Sequence, residues 1–341
     1  MPSDSAVHAL AGAAGGAVSM ALTYPLITIS TRAAVESKKP EHKRESLIAS
    51  VKRIIAQEGI SGLFDGLESS ILGIAVTNAA FYYFFEESRA VLLRRKSAGQ
   101  AKLAATLSTL ESILASFIAG CATSLVVNPI WVVNTNQISR ASLADTSASV
   151  STKRDPKTGE TVAVKKLGFL QTVKKIYEKD GLAAFWRGVG PALILVINPI
   201  IAYTAFEQLK NYILRKRLAS AASIRPVSQG ITAKPATVLS DLDNFLLGAF
   251  TKLLATGTTY PYLVVKSRMQ AGSAQSQKYK NTFHGLATII KEEGFGALYN
   301  GISSKLVQSV LTAAFLFASK ERFYLATKAA IRATAKAVPN Q

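Results

Sequence analysis

Lys252 is the residue whose type and place ask most directly for chemistry. Residues 244–265 carry no other Asp, Glu, Lys or Arg. A lysine inside a long apolar run is costly unless its stem carries the ammonium to an anion, a water-filled cavity or an interface. What it offers is charge pairing with a phosphate or carboxylate. Asn78 and Asn198 are polar groups in comparable apolar runs. They could contact the base or ribose of a nucleotide, or bond backbone near Pro199. Tyr82, Tyr83 and Tyr203 offer faces for stacking a base, with anchoring at a membrane interface as their other use. Covalent chemistry finds no support. His8, His42 and His284 lie far apart, Cys121 is the one cysteine, and no catalytic pair of carboxylates is visible. A disulfide framework or a cysteine zinc site is therefore excluded within one chain. No cofactor, no metal and no enzyme activity is expected, and Cys121 reads as a small buried residue.

The elements that must position these groups are read from charge and apolarity. The chain has 341 residues, 49% of them hydrophobic, and a net charge of +19. Its mean hydropathy is +0.22. Apolar spans alternating with basic loops reconcile these facts, and the loops suit anionic ligands or an anionic membrane surface. Nucleic acid is not expected, because the charge lies between apolar runs and no nucleic-acid-binding motif is visible. Met1-Pro2-Ser3-Asp4 lacks a basic start, so no cleavable signal peptide is predicted.

Six apolar spans follow, at about 5–31, 67–85, 108–138, 189–206, 243–265 and 302–319. Amphipathic helices are predicted over 46–57, 167–177 and 282–291. In the first, Leu47, Ile48, Val51, Ile54 and Ile55 share one side. Each odd span ends at a proline, Pro25, Pro129 or Pro261, which should kink it. Each amphipathic helix leads into a closing motif that ends in glycine: Glu58 to Gly66, Asp180 to Gly188, Glu293 to Gly301. From proline to that glycine is 41, 59 and 40 residues, the excess of the second lying in the polar loop at 139–166. Span, amphipathic helix, span therefore recurs three times. Repeats are expected at 1–103, 104–236 and 237–341. Nine residues before each proline stand Gly16, Gly120 and Lys252. The two glycines permit close helix packing; the lysine abandons it.

This pattern resembles the mitochondrial carrier family, whose threefold signature couples a proline motif to an acid-Gly…Gly motif. The resemblance implies an all-α membrane protein with six transmembrane helices in three pseudo-threefold repeats and three short amphipathic helices. It also implies transport by alternating access. In the family, a salt-bridge ring follows the prolines and closes the matrix side. Here its acidic places hold Ile27, Trp131 and Leu263, and its first basic places hold Ser30, Asn134 and Lys266. Its second basic places hold Arg32, Asn136 and Arg268, and Gln270 matches a bracing glutamine. A gate here must use apolar contact and neutral hydrogen bonds instead of a full ring. Pro25, Pro129, Trp131, Asn134, Pro261, Lys266 and Gln270 are its expected members. On the cytosolic side Glu86 with Arg89, and Glu207 with Lys210, match the family's even-helix motif, and Glu86 with Lys210 completes an interhelix pair. Lys320 could reach Glu207. Snorkelling to water is the other reading of these charges.

The family's substrate contacts carry over to Gly73 and Ile74, Leu195 and Val196, and Gln308 and Ser309. None is arginine, which leaves Lys252 and Lys305 as phosphate partners. Asn128-Pro129-Ile130-Trp131-Val132-Val133-Asn134 is similar to the peroxisomal branch, which carries adenine nucleotides, coenzyme A, FAD or NAD. The resulting expectation is a monomeric peroxisomal membrane antiporter exchanging ATP for AMP or ADP, with membrane lipid around it. Coenzyme A, FAD or NAD carriage, a mitochondrial inner-membrane location and a non-transporting membrane scaffold are the alternatives.

Overall fold

The computed structural model describes residues 4–36, 46–97, 107–146, 167–223, 239–273, 276–312 and 315. Every regular element among them is helical. The long helices are α1 (Asp4–Val35), α3 (Leu67–Ser97), α4 (Thr109–Thr146), α7 (Ile197–Ser223) and α8 (Asp241–Ala271). Short helices are α2 (Leu47–Glu58), α5 (Phe169–Asp180), α6 (Val189–Leu195) and α9 (Thr282–Glu293). A last helix, α10, runs over 302–312. Three stretches are long and apolar enough to cross a membrane: Ile60–Lys96, Thr109–Ser139 and Leu182–Ala219. α1 and α8 have similar lengths, 32 and 31 residues. The charges of Lys252, Lys266, Arg268 and the first turn dilute the apolarity of α8.

Pro25, Pro129 and Pro261 lie inside α1, α4 and α8, which continue through them. The fourth span behaves differently. Its helix is interrupted at Val196, between α6 and α7. Pro199 lacks an amide hydrogen, and its ring crowds the carbonyl four residues back, that of Leu195. The break falls there rather than at the proline itself.

The three amphipathic helices share one construction. Ser46 caps α2 by accepting from the Ala49 N–H, and Asn281 caps α9 by accepting from the His284 N–H. All three end at a left-handed glycine, Gly59, Gly181 or Gly294, whose N–H donates four residues back to Ile55, Tyr177 or Ile290. A tight 3-10 turn follows each. The buried stripe of α2 is narrower than its sequence implies. Ile54 is 1% exposed and packs with Ile29 and Leu63, while Ile48 is 67% exposed. An interfacial helix has two apolar neighbours, protein on one side and acyl chains on the other, so Ile48 and Ile55 lie toward the second.

The chain forms two compact units. One comprises 1–78, 127–188 and 264–341, and the other 79–126 and 189–263. In the first, the core is built of small clusters where an odd helix meets its own amphipathic helix. Val132, Val133, Ile176, Ala184 and Phe185 make one such cluster. Met20, Tyr24 and Ile138 make a different cluster, where the odd helices α1 and α4 meet. In the second unit Ala115, Ala119 and Ala255 are fully buried, as close helix packing requires. Gly120 receives the side chain of Val196: a Cβ there would stand 2.6 Å from Val196 Cγ1. Gly16 does not act alike, since no described atom lies within 4 Å of a Cβ built on it. Cys121 is half-buried rather than buried.

Candidate functional site

In the first unit, the residues after the three prolines form two rings with the same handed order. Seven residues after Pro25, Pro129 and Pro261 stand Arg32, Asn136 and Arg268. Each donates to a backbone carbonyl nine residues after the next proline. Arg32 Nε donates to Ile138 at 2.9 Å, Asn136 Nδ2 to Gln270 at 2.7 Å, and Arg268 Nε to Ala34 at 3.0 Å. The carbonyls of Gln270 and Ala34 lie in the last turns of α8 and α1, where a donor from outside the helix is needed, while that of Ile138 lies inside α4.

The second ring uses the closing glycines. Gly66, Gly188 and Gly301 each press against the residue five after the next proline. A Cβ on Gly301 would lie 2.6 Å from the Ser30 carbonyl oxygen, and one on Gly188 would lie 3.0 Å from that of Lys266. With φ of +82° and +74°, both also hold backbone conformations that side chains resist. Gly66 meets Asn134 and the Tyr24 hydroxyl instead. The repeats are thus stitched head to tail, first to second, second to third, third to first.

The two arginines are anchored further. Arg32 is 3% exposed and pairs with both Glu58 oxygens, at 2.5 and 2.9 Å, and with Asp65 at 3.3 Å. Arg268 is 2% exposed and makes a two-pronged pair with Glu293, and its NH2 also donates to the Glu36 carbonyl. Fork-to-carboxylate pairing is the strongest arrangement these groups can make. Beside Arg268, burial pushes the Tyr279 hydroxyl above its ordinary range. In the second repeat the acid of the closing motif, Asp180, pairs instead with Arg187 at 2.7 Å. Among the described residues Asn136 has no carboxylate bonded to it, and its amide also donates to its own helix at Val132.

The expected gate residues fall in this unit, Pro261 excepted. Trp131 Nε1 donates to Thr77 Oγ1 at 3.2 Å, and its ring lies 3.4 Å from a Cβ built on Gly73. Asn134 Nδ2 lies 2.9, 2.9 and 2.7 Å from the Gly66 carbonyl, Ser69 Oγ and Ser70 Oγ, sharing its two hydrogens among them. Thr135 donates to Gln270 Oε1 at 3.1 Å, and Gln270 Nε2 donates to Asn128 Oδ1 at 3.2 Å. Asn128 in turn donates to the carbonyls of Phe185 and Arg187. Lys266 is half-buried and makes no ion pair among the described residues.

The polar residue before each proline was not singled out as functional from sequence, yet Tyr24 and Asn128 bond the closing motif of their own repeat. Tyr24 donates to the Asp65 carbonyl at 3.0 Å and Asn128 reaches Phe185 and Arg187. The signal that could find them is the same offset in every repeat, with Tyr260 third. Ser70, Thr77 and Thr259 were likewise missed, since a lone hydroxyl in an apolar run carries no signal by itself.

In the second unit Lys252 Nζ donates to Asn198 Oδ1 at 3.2 Å, and Asn198 Nδ2 donates to Thr259 Oγ1 at 2.7 Å. Asn198 thus bonds side chains, not the backbone near Pro199. The interhelix pair of Glu86 with Lys210 is absent. Arg89 pairs with Glu86 at 3.4 Å and Lys210 with Glu207 at 3.7 Å, each within its own helix. Long side chains three residues apart on an exposed helix face meet each other first. Lys320 lies outside the described residues.

The positions carried over from the family are dispersed. Gly73 is buried beneath Trp131, while Ile74 and Asn78 are exposed. Leu195 and Val196 sit at the helix break, and Val196 is spent on Gly120. Gln308 is 9% exposed and donates to Thr312 Oγ1 at 3.0 Å, and Ser309 bonds back to the Lys305 carbonyl.

Three stretches, 2–96, 105–217 and 238–328, match the model of the mitochondrial carrier protein family. A peroxisomal nicotinamide adenine dinucleotide carrier of Arabidopsis thaliana is 36% identical over 337 residues, covering 96% of this chain and 97% of that protein. The peroxisomal membrane protein PMP47B of Candida boidinii is 32% identical, covering 97% of this chain and 88% of that one. The peroxisomal membrane protein PMP34 of Mus musculus is 30% identical, with 95% and 94% covered. Six membrane helices and solute transport, not enzymatic turnover, go with that family. With the closing half of its signature present three times and its odd helices stitched head to tail, this chain belongs to the mitochondrial carrier family.

Proposed function

We propose that the chain is a peroxisomal membrane antiporter for anions that carry an adenylate group, working as a monomer in lipid. Substrate would bind Lys252, and differential binding to two states of the carrier would shift their populations. The observation that carries this reading is the Lys252 ammonium, set in an otherwise uncharged stretch and bonded only to a neutral amide among the described residues. A cation kept there without a carboxylate suits a transported phosphate. The peroxisomal location rests on the names of the relatives, with the mitochondrial inner membrane as the other location.

Exchange of ATP for AMP or ADP is one form of this activity. Carriage of NAD is the second, and two observations favour it. The Arabidopsis relative is named for that substrate. The positions carried over from the family hold no arginine, and a substrate with fewer phosphate charges asks for fewer cations. Purified protein in liposomes preloaded with AMP decides between them. Uptake of labelled ATP but not NAD supports the first, and the converse supports the second. Uptake of none of ATP, NAD, coenzyme A and FAD, by protein that is folded and inserted, overturns the proposal and favours a scaffold.

A further inference from the structure

Lys252 does not stand alone on α8. Thr259 lies seven residues on, two helical turns away on the same stripe. Asn198 spans both from the first turn of α7. Thr259 Oγ1 donates to the carbonyl of Ala255 at 2.8 Å. Its one hydrogen is thereby committed, so toward Asn198 it can only accept. That forces the Asn198 amide to present Nδ2 to Thr259, at 2.7 Å, and leaves Oδ1 facing Lys252, at 3.2 Å. The orientation of the amide is therefore dictated by the bonds around it. Thr259 is 6% exposed, so water is a poor substitute for that bond. The helix break at Val196 places Asn198 in a first turn, where its side chain is free to serve α8.

We propose that Asn198 is a positioning residue for Lys252, holding the ammonium through its oxygen so that the remaining two N–H groups face the phosphate of the substrate. The inference rests on the reading of Lys252 as the substrate cation. It differs from the expectation that Asn198 touches base or ribose. A neutral acceptor is the right partner for this task. It fixes the lysine in direction but leaves its charge uncancelled, whereas a carboxylate would satisfy the charge and compete with the substrate.

The test is transport of labelled ATP and NAD by the full-length protein in AMP-loaded liposomes, with KM and kcat separated. Substrate-dependent thermal protection of the same variants in detergent reads binding without transport. Asn198→Asp should be the worst substitution for binding, raising KM about tenfold or more with kcat less affected. Asn198→Ala should raise it less. Thr259→Val should match Asn198→Ala, because the amide is then free to turn its nitrogen toward Lys252. Thr259→Ser should restore the parent value. A purely structural role predicts that Asp and Ala at 198 behave alike and that KM does not move with Thr259. If Lys252→Ala leaves both substrates unaffected, the reading of Lys252 fails. If Lys252→Ala impairs uptake while the Asn198 and Thr259 variants keep the parent KM, the positioning role alone is overturned. Unliganded thermal stability separates misfolded variants, and Thr259→Val, which spares the break near Pro199, carries the test if Asn198→Ala is among them.

Discussion

The ends of the first and third odd helices and the end of the second do the same job with different chemistry. All three donate from the seventh residue after the proline to a carbonyl of the next repeat. At Arg32 and Arg268 the donor is a buried guanidinium tied to carboxylates of its own repeat, Glu58 and Asp65 or Glu293. At Asn136 it is a short neutral amide. The acid that would have served it, Asp180, is turned to Arg187. An arginine therefore couples the odd helix to its amphipathic helix as well as to the neighbouring repeat. An asparagine does only the second. The lesson is that the stitch between repeats needs a donor, not a charge, and that the charge serves the link within a repeat.

The difference predicts unequal losses. Arg268→Ala should be the most damaging, because the buried Glu293 would lose the guanidinium paired with it, at about 3–5 kcal/mol. Denaturant unfolding in mixed micelles should show this, with little change between low and high salt, since buried pairs are poorly screened. A loss under 1 kcal/mol would mean that the pair is not what holds α9 to α8. Asn136→Ala should cost less, about 1–3 kcal/mol, from the unsatisfied Gln270 carbonyl. If it equals Arg268→Ala, the distinction between charged and neutral joints collapses. Arg187→Ala should be milder again, at about 1 kcal/mol or below, because that pair is partly exposed and screened. Raised salt should shrink this loss but not the first two.

The threefold plan was legible because it is written in backbone requirements. Glycines 59, 181 and 294 must be left-handed, and glycines 66, 188 and 301 must let a neighbouring repeat approach. Prolines at matching offsets mark the odd helices. The absence of a full charge ring was equally legible, since Ile27, Trp131 and Leu263 cannot accept a salt bridge. What replaced it was not. Nothing in the sequence ties Asn134 to Ser69 and Ser70, or Trp131 to Thr77, because these partners lie 54 to 65 positions apart and carry no periodic signal. Lys252 could be singled out by its isolation, but its partner Asn198 depends on which turn of α7 faces α8. The helix break at Val196 decides that, and a proline predicts a break only to within a turn.

The smallest predicted effect separates packing from substrate contact at Gly73. The resemblance to the family assigns Gly73 to substrate, while the indole of Trp131 lies over it at ordinary van der Waals distance, 3.4 Å from a built Cβ. Glycine inside a helix is worth roughly 0.5–1 kcal/mol less than alanine. Gly73→Ala should therefore be neutral or slightly stabilising, the helix gain offsetting a minor shift of the ring. Trp131→Phe keeps a ring above Gly73 but removes the N–H that reaches Thr77, and should cost about 0.5–1.5 kcal/mol. Thr77 still donates to the Gly73 carbonyl at 2.6 Å, so its own hydrogen bond survives the change. The informative measurement is KM in the same two variants. If Gly73 serves the indole, Gly73→Ala leaves KM at the parent value while Trp131→Phe weakens the closed joint and raises the rate of opening. If Gly73 serves the substrate, Gly73→Ala raises KM with stability unchanged, and the neutral joint around Trp131 and the binding surface then share a residue.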